Sequence, residues 1–179
     1  MADINLDRNP AQRSHADARR KEEPAFGLIE LLFFCYRDFV ADADEVLAKF
    51  GFGRAHHRVL HFINRNPGMK VAQLLDILNI TKQSLGRVLK PLIDEGYVEQ
   101  REGASDRRQR LLFATAKGRA LAVQLAVLQT ARFDRALAEI GAKDHEIARR
   151  FLIGMLNPGQ REGVLRLIDR ADHAWRRGL

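Results

Sequence analysis

His57 and His61 stand four residues apart in the stretch RAHHRVLH, a spacing that puts two imidazoles on one face of a helix. Such a pair can hold a transition metal, but a metal site needs further ligands, and the neighbouring Arg54 and Arg58 disfavour a cation. The same arginines suit a small anion. Arg54, His57, Arg58 and His61 therefore form a candidate effector pocket. The third reading is a structural pair at a seam between protomers.

Cys35 is the only cysteine, so no disulfide can close within the chain. Its thiol is a candidate redox sensor if donors or positive charge stabilise the thiolate. Its position on an apolar helical stripe speaks for the other reading, an inert core residue. Enzyme chemistry finds no footing. There is no Gly-rich phosphate loop after a strand, no metalloprotease helix motif, no nucleophile elbow and no cysteine cluster. Neither a catalytic site, a cofactor nor a bound metal is expected.

Charge is the stronger signal. The formal net charge is +7, which favours an anionic partner, either nucleic acid or an acidic membrane surface. The segment Arg101–Arg119 holds six cationic side chains against two carboxylates, over half of the chain's excess. Its densest part, REGASDRRQR, lies between two apolar runs that read as strands. Arg101, Arg107, Arg108 and Arg110 thus occupy a loop held up by a hairpin, with Asp106 among them. A loop of this kind suits a narrow, electronegative minor groove.

A second polar set precedes it. On a helix beginning near Thr81, the residues Leu85, Val88, Leu89, Leu92 and Ile93 form one apolar stripe. Gln83, Arg87 and Lys90 fall on the opposite side, flanked by Ser84. Gln pairs bidentately with adenine and Arg with guanine, while Ser and Lys serve phosphates or bases. Gly86 lacks a side chain and allows close backbone approach. Thr81 and Lys82 stand where the helix N-terminus offers N–H groups to a phosphate. Alone, this pattern is equally that of a solvated helix face. A tight turn before it and a basic hairpin after it favour a DNA face.

The surrounding elements follow from periodicity. Residues 1–24 are polar and of mixed charge and read as a mobile arm. No apolar core marks a secretory signal, and the run FGLIELLFFCY is broken by Glu30 and too short to span a bilayer. A cytoplasmic protein with no membrane partner is expected. Apolar residues at steps of three and four, from Leu28 through Cys35 to Phe50, predict a helix over Phe26–Phe50. A second helix spans Arg54–Asn64 and ends at Asn66-Pro67-Gly68. Val71–Leu78, a turn at Asn79, and the Thr81 helix make a helix-turn-helix. Pro91 should bend that last helix beyond the proposed contact residues. Two strands of a hairpin come next. Helices then follow over Ala116–Ile140, about Lys143–Leu156 and about Gly159–Arg176.

The segments VAQLLDILNITKQSLGRVLKPLIDEGYVEQR and SDRRQRLLFATAKG together resemble the winged helix-turn-helix of the MarR family of bacterial transcription regulators. The second segment is similar to the family's wing signature through Asp106, Arg108, Arg110, Thr115 and Gly118. Ala114, Arg107 and Pro91 depart from the usual pattern. The resemblance implies a mainly α fold with a small β-hairpin wing and flanking dimerisation helices. With the arm (1–24) set apart by its composition, the resemblance divides the rest of the chain into an N-terminal dimerisation helix (25–53), a winged helix-turn-helix (54–118) and C-terminal dimerisation helices (119–179), and the arm and the last helix after Pro158 go beyond the minimal family pattern. It implies a homodimeric regulator, a repressor, that binds double-stranded DNA at a pseudo-palindromic site and is released by a small-molecule effector or an oxidant. Arg107 or Arg108 is then the minor-groove probe and Asp106 the residue that organises the wing. The competing function is a winged-helix module for protein–protein contact, without specific DNA binding.

Overall fold

The structure is a computed structural model that describes residues 24–103, 106, 109–141 and 145–178. The arm expected over 1–24 lies outside the described residues except for Pro24, as do Arg107 and Arg108. The chain divides into two compact units, Met1–Asp38 and Phe39–Leu179.

Helix α1 spans Phe26–Ala48. In the first unit its large apolar side chains, among them Leu28, Leu31, Leu32 and Phe33, are exposed, and so is Cys35. This corrects the expectation of a core cysteine. The described part of this unit is a single helical segment, and an apolar stripe is buried only when another element covers it. The stretch after Asp38 behaves differently, with Val40, Ala43 and Leu47 buried.

Helix α2 covers Arg54–Arg65 and buries Val59, Leu60 and Ile63, as its spacing predicts. A two-residue strand β1, Met69–Lys70, then runs straight into helix α3, Val71–Leu78. Leu74 and Leu78 of α3 point into the core. Asn79 takes the left-handed conformation at φ 50°, which gives the tight turn its geometry. Helix α4, Lys82–Asp94, begins at the Thr81 cap, whose hydroxyl accepts the Ser84 N–H at 3.2 Å. It buries Leu85, Leu89 and Leu92. Pro91 lies inside it. The helix continues to Asp94, its last turn held by the fully buried Leu92.

Strands β2, Val98–Glu102, and β3, Arg110–Ala114, form the antiparallel hairpin, with Glu102 opposite Arg110 and Val98 opposite Ala114. Strand β1 adds to the far side of β3, pairing Met69 with Leu112 and Lys70 with Leu111. Periodicity gave no sign of it. Two residues carry no period, and tertiary pairing with β3 creates the strand. Helix α5, Ala116–Ile140, starts at the Thr115 cap and ends at Gly141, at φ 88°. Helices α6, His145–Gly154, and α7, Pro158–Arg176, complete the described chain. A half-buried Arg65–Asp172 ion pair ties α7 to the end of α2. One core, from Ala43 through the helix-turn-helix and the wing base to Leu125, unites the C-terminal part of α1 with α2, α3, α4, the sheet and the first half of α5. The fold is mainly α with a small three-stranded antiparallel sheet, a winged helix-turn-helix. No helix among the described residues is long and apolar enough to cross a membrane.

Candidate nucleic-acid interface

Burial of Leu85, Leu89 and Leu92 fixes which side of α4 faces outward. Thr81, Lys82, Gln83, Ser84, Gly86, Arg87 and Lys90 are all exposed on it. The Thr81 hydroxyl donates to Ser84 Oγ at 3.0 Å while accepting the Ser84 amide, which leaves the Ser84 hydroxyl proton for an outside acceptor. Gln83 and Arg87 are one helical turn apart and form no ion pair or side-chain hydrogen bond among the described residues. Lys90 differs. It pairs with Asp94 one turn on, which damps its charge at the far end of the face. The arrangement offers two unengaged side chains, an amide and a guanidinium, on one outward face of the helix.

The wing is built on the register of its hairpin. Arg110 bonds its cross-strand partner Glu102 at 3.0 Å. Arg101 pairs with Glu99 and lays its guanidinium 4.4 Å from the centre of the Phe113 ring. Both arginines, at the tip-side end of the hairpin, are therefore held along the strands. At the tip, Gly103 N–H donates to Gln109 O at 3.0 Å and Gln109 N–H donates to Asp106 O at 3.0 Å. Gln109 Nε2 also reaches Asp106 Oδ2 at 3.3 Å. A Cβ on Gly103 would stand 2.9 Å from the Asp106 carbonyl oxygen, so the turn closes tightly there. Asp106 thus engages Gln109 through backbone and side chain, a partner the sequence reasoning did not name.

A cleft of about 490 Å³ separates α4 from the wing. Its walls include Lys82, Gly86 and Leu89 on one side and Gln100, Gln109 and Arg110 on the other, with Lys70, Val71 and Ala72 at its end. The sequence reading missed Lys70, Gln100 and Gln109. The signal for Lys70 was available only through the pairing of β1 with β3.

The four residues of the candidate effector pocket do not present one surface. His57 is buried, while Arg54 and Arg58 are exposed. The Arg54 Nε lies 2.6 Å from Asp44 Oδ2. The His57 and His61 rings are 6.4 Å apart, edge to face. Burial lowers the pKa of His57, against the pull of Asp44. Burial, then the proximity of His57 and Arg65, pushes His61 down to about 4. Both rings are neutral at neutral pH and lend an anion no positive charge. Among the described residues, no group of three or more His, Cys, Asp or Glu is placed to hold a metal ion.

Comparison with known proteins bears on this geometry. The model of the MarR family matches residues 50–109. The HTH-type transcriptional regulator PetP of Rhodobacter capsulatus is 45% identical over 141 residues, which cover 79% of this chain and 85% of PetP. The crystal structure of Streptococcus pneumoniae FabT in complex with DNA superposes with a TM-score of 0.66 at 17% identity, over 74% of this chain and 94% of that one. The Mycobacterium tuberculosis MarR family protein Rv2887, solved in complex with p-aminosalicylic acid, aligns with a TM-score of 0.52 at 25% identity, over 73% and 96% of the two chains.

Proposed function

The chain belongs to the MarR family, and we propose that it is a sequence-specific DNA-binding transcriptional regulator, a repressor that acts as a homodimer. The observation that carries this reading is the outward face of α4, where Gln83, Ser84 and Arg87 stand exposed beside a basic wing. In this account α4 enters the major groove, and Arg107 or Arg108 at the wing tip enters the minor groove. Thr81, Lys82, Lys90, Arg101 and Arg110 supply backbone contacts. Asp106 shapes the wing. The DNA-binding domain is 54–118. The work is done on the chromosome, in the cytoplasm.

The homodimer rests on unburied apolar surface. Leu28, Leu31, Leu32 and Phe33 of α1 are exposed, as are Ile147, Phe151 and Met155 of α6. Exposure on this scale marks an interaction site, and segments 25–53 and 119–179 are the dimerisation helices of this reading. Two copies related by a two-fold axis require a pseudo-palindromic operator with half-sites about one helical turn, ~34 Å, apart. Release by a small anionic ligand draws support from the p-aminosalicylic acid complex of the Mycobacterium tuberculosis relative. Release by an oxidant would act through the exposed Cys35.

Selection of genomic fragments by the purified protein tests the reading. A recovered pseudo-palindrome supports it. No enrichment over input would favour a winged-helix protein–protein module instead. Sedimentation of the wild type and of Leu32→Glu tests the dimer, which should be lost in the variant.

A further inference from the structure

Helix α7 is 19 residues long, yet the core takes side chains from α1 and α5 and none from α7. Ala171 is its one buried residue. A cavity of about 510 Å³ lies between α7 and the helix-turn-helix. Pro67, Met69 and Ile77 wall it on one side, and Gly163, Leu167 and Ala174 on the other. Small side chains on the helix leave that space unfilled, so close packing does not lock α7 in place.

What crosses the gap is charge. Arg65, in the last turn of α2, pairs with Asp172, the residue after Ala171. No other ion pair or side-chain hydrogen bond among the described residues joins α7 to the DNA-binding domain. Both partners are partly withdrawn from water, which sets this pair apart from a solvated surface pair. Arg65 is itself firmly placed. Its helix buries Val59, Leu60 and Ile63, and the turn after it is pinned to the sheet, where Gly68 N–H donates to Leu112 O at 2.8 Å.

We propose that Asp172 is a positioning residue for DNA recognition: by holding Arg65 it braces α7 against the helix-turn-helix and so fixes the half-site spacing that the dimer accepts. The proposal rests on the dimeric DNA-binding reading above, in which α7 belongs to the dimerisation segment. The separation of two copies of α4 is then only as fixed as the joints between that segment and the DNA-binding domain. The C-terminal part of α1 and the first half of α5 are joined to the domain through the shared core. Two such joints define a hinge axis, and a third attachment off that axis stops rotation about it. The Arg65–Asp172 pair is that third attachment, and it can be released without opening the core.

The test compares full-length wild type, Asp172→Asn and Asp172→Glu on an operator recovered by selection. Its half-sites are kept at native spacing or moved by one base pair either way. One base pair shifts them by ~3.4 Å and turns them by about 34°. Wild type should lose roughly tenfold or more in affinity on either change, the scale of a lost base contact. Asp172→Asn should lose only about threefold, and should bind a single half-site as wild type does. Asp172→Glu keeps the carboxylate and should keep the wild-type profile. A spacing profile in Asp172→Asn equal to wild type overturns the proposal and leaves the DNA-binding reading intact. So does a profile relaxed equally in Asp172→Glu, because the helix surface rather than the ion pair would then be at work. A monomeric Asp172→Asn in sedimentation would place the residue in the dimer interface and overturn the brace as well. If no operator is recovered, or wild type tolerates both shifts without loss, the two-fold reading falls and the brace with it.

Discussion

A Cβ on Gly118 would lie 1.9 Å from the carbonyl oxygen of Tyr97, so the first turn of α5 rests directly on the backbone at the foot of the wing. The contact is part of a knot. Thr115 Oγ1 accepts the Gly118 N–H at 3.1 Å and donates to Gly96 O at 2.7 Å. Lys117 reaches Glu95 O at 2.8 Å from above the Tyr97 ring, at the C-terminal end of α4. The Thr-x-x-Gly that ends the wing signature is therefore a joint between α4, the wing and α5.

Gly118→Ala should break that joint. No flexible neighbour can yield, because the opposing atom is backbone. A loss of about 3 kcal/mol is expected, the upper end of the usual cost of overpacking. Urea unfolding followed by circular dichroism measures it. A midpoint equal to wild type would mean that the helix and the wing do not pack in this way.

Thr81 has two roles that substitution can separate. Thr81→Ala removes the cap on α4 and should cost about 1 kcal/mol. Thr81→Asp restores a capping acceptor, and with it stability, but places a negative charge where a phosphate would approach. It should therefore fold like wild type and bind DNA more weakly than wild type. Equal DNA affinity for Thr81→Asp and wild type would remove this end of α4 from the interface.

The buried imidazoles predict an acid-sensitive fold. The pKa of His61 falls to about 4 in the folded chain, below the 6.5 of the unfolded one. For a depressed histidine, the unfolded state binds the extra proton. Stability is then complete above about 6.5 and declines as pH falls toward 4, and the lowered pKa of His57 acts in the same direction. His61→Gln should flatten the fall in the urea midpoint over that window. An identical slope in the variant would show that His61 is not held neutral.

Much of this was readable from residue spacing. The α4 stripe Leu85–Leu89–Leu92 and its polar reverse follow from a period of 3.6, and the caps at Thr81 and Thr115 from residue type. What escaped depended on partners distant in sequence. Strand β1 exists because Leu111 and Leu112 lie opposite Lys70 and Met69, and no local pattern announces a two-residue strand. Lys70 was invisible as a site residue for the same reason. The exposure of Cys35 escaped because an apolar stripe tells which side seeks cover, not whether its own chain supplies it. The Lys90–Asp94 pair is legible on a helical wheel, since the residues are four apart.

If the outward face of α4 reads base sequence, Arg87 must carry part of that discrimination. The measurement is the affinity of wild type and Arg87→Ala for an operator recovered by selection, compared with a scrambled duplex of equal length at the same salt. Loss of one bidentate base contact is worth about 1–3 kcal/mol of discrimination. The operator-to-scrambled ratio should fall by roughly tenfold or more in Arg87→Ala, with the scrambled affinity reduced far less. A ratio unchanged from wild type would contradict it.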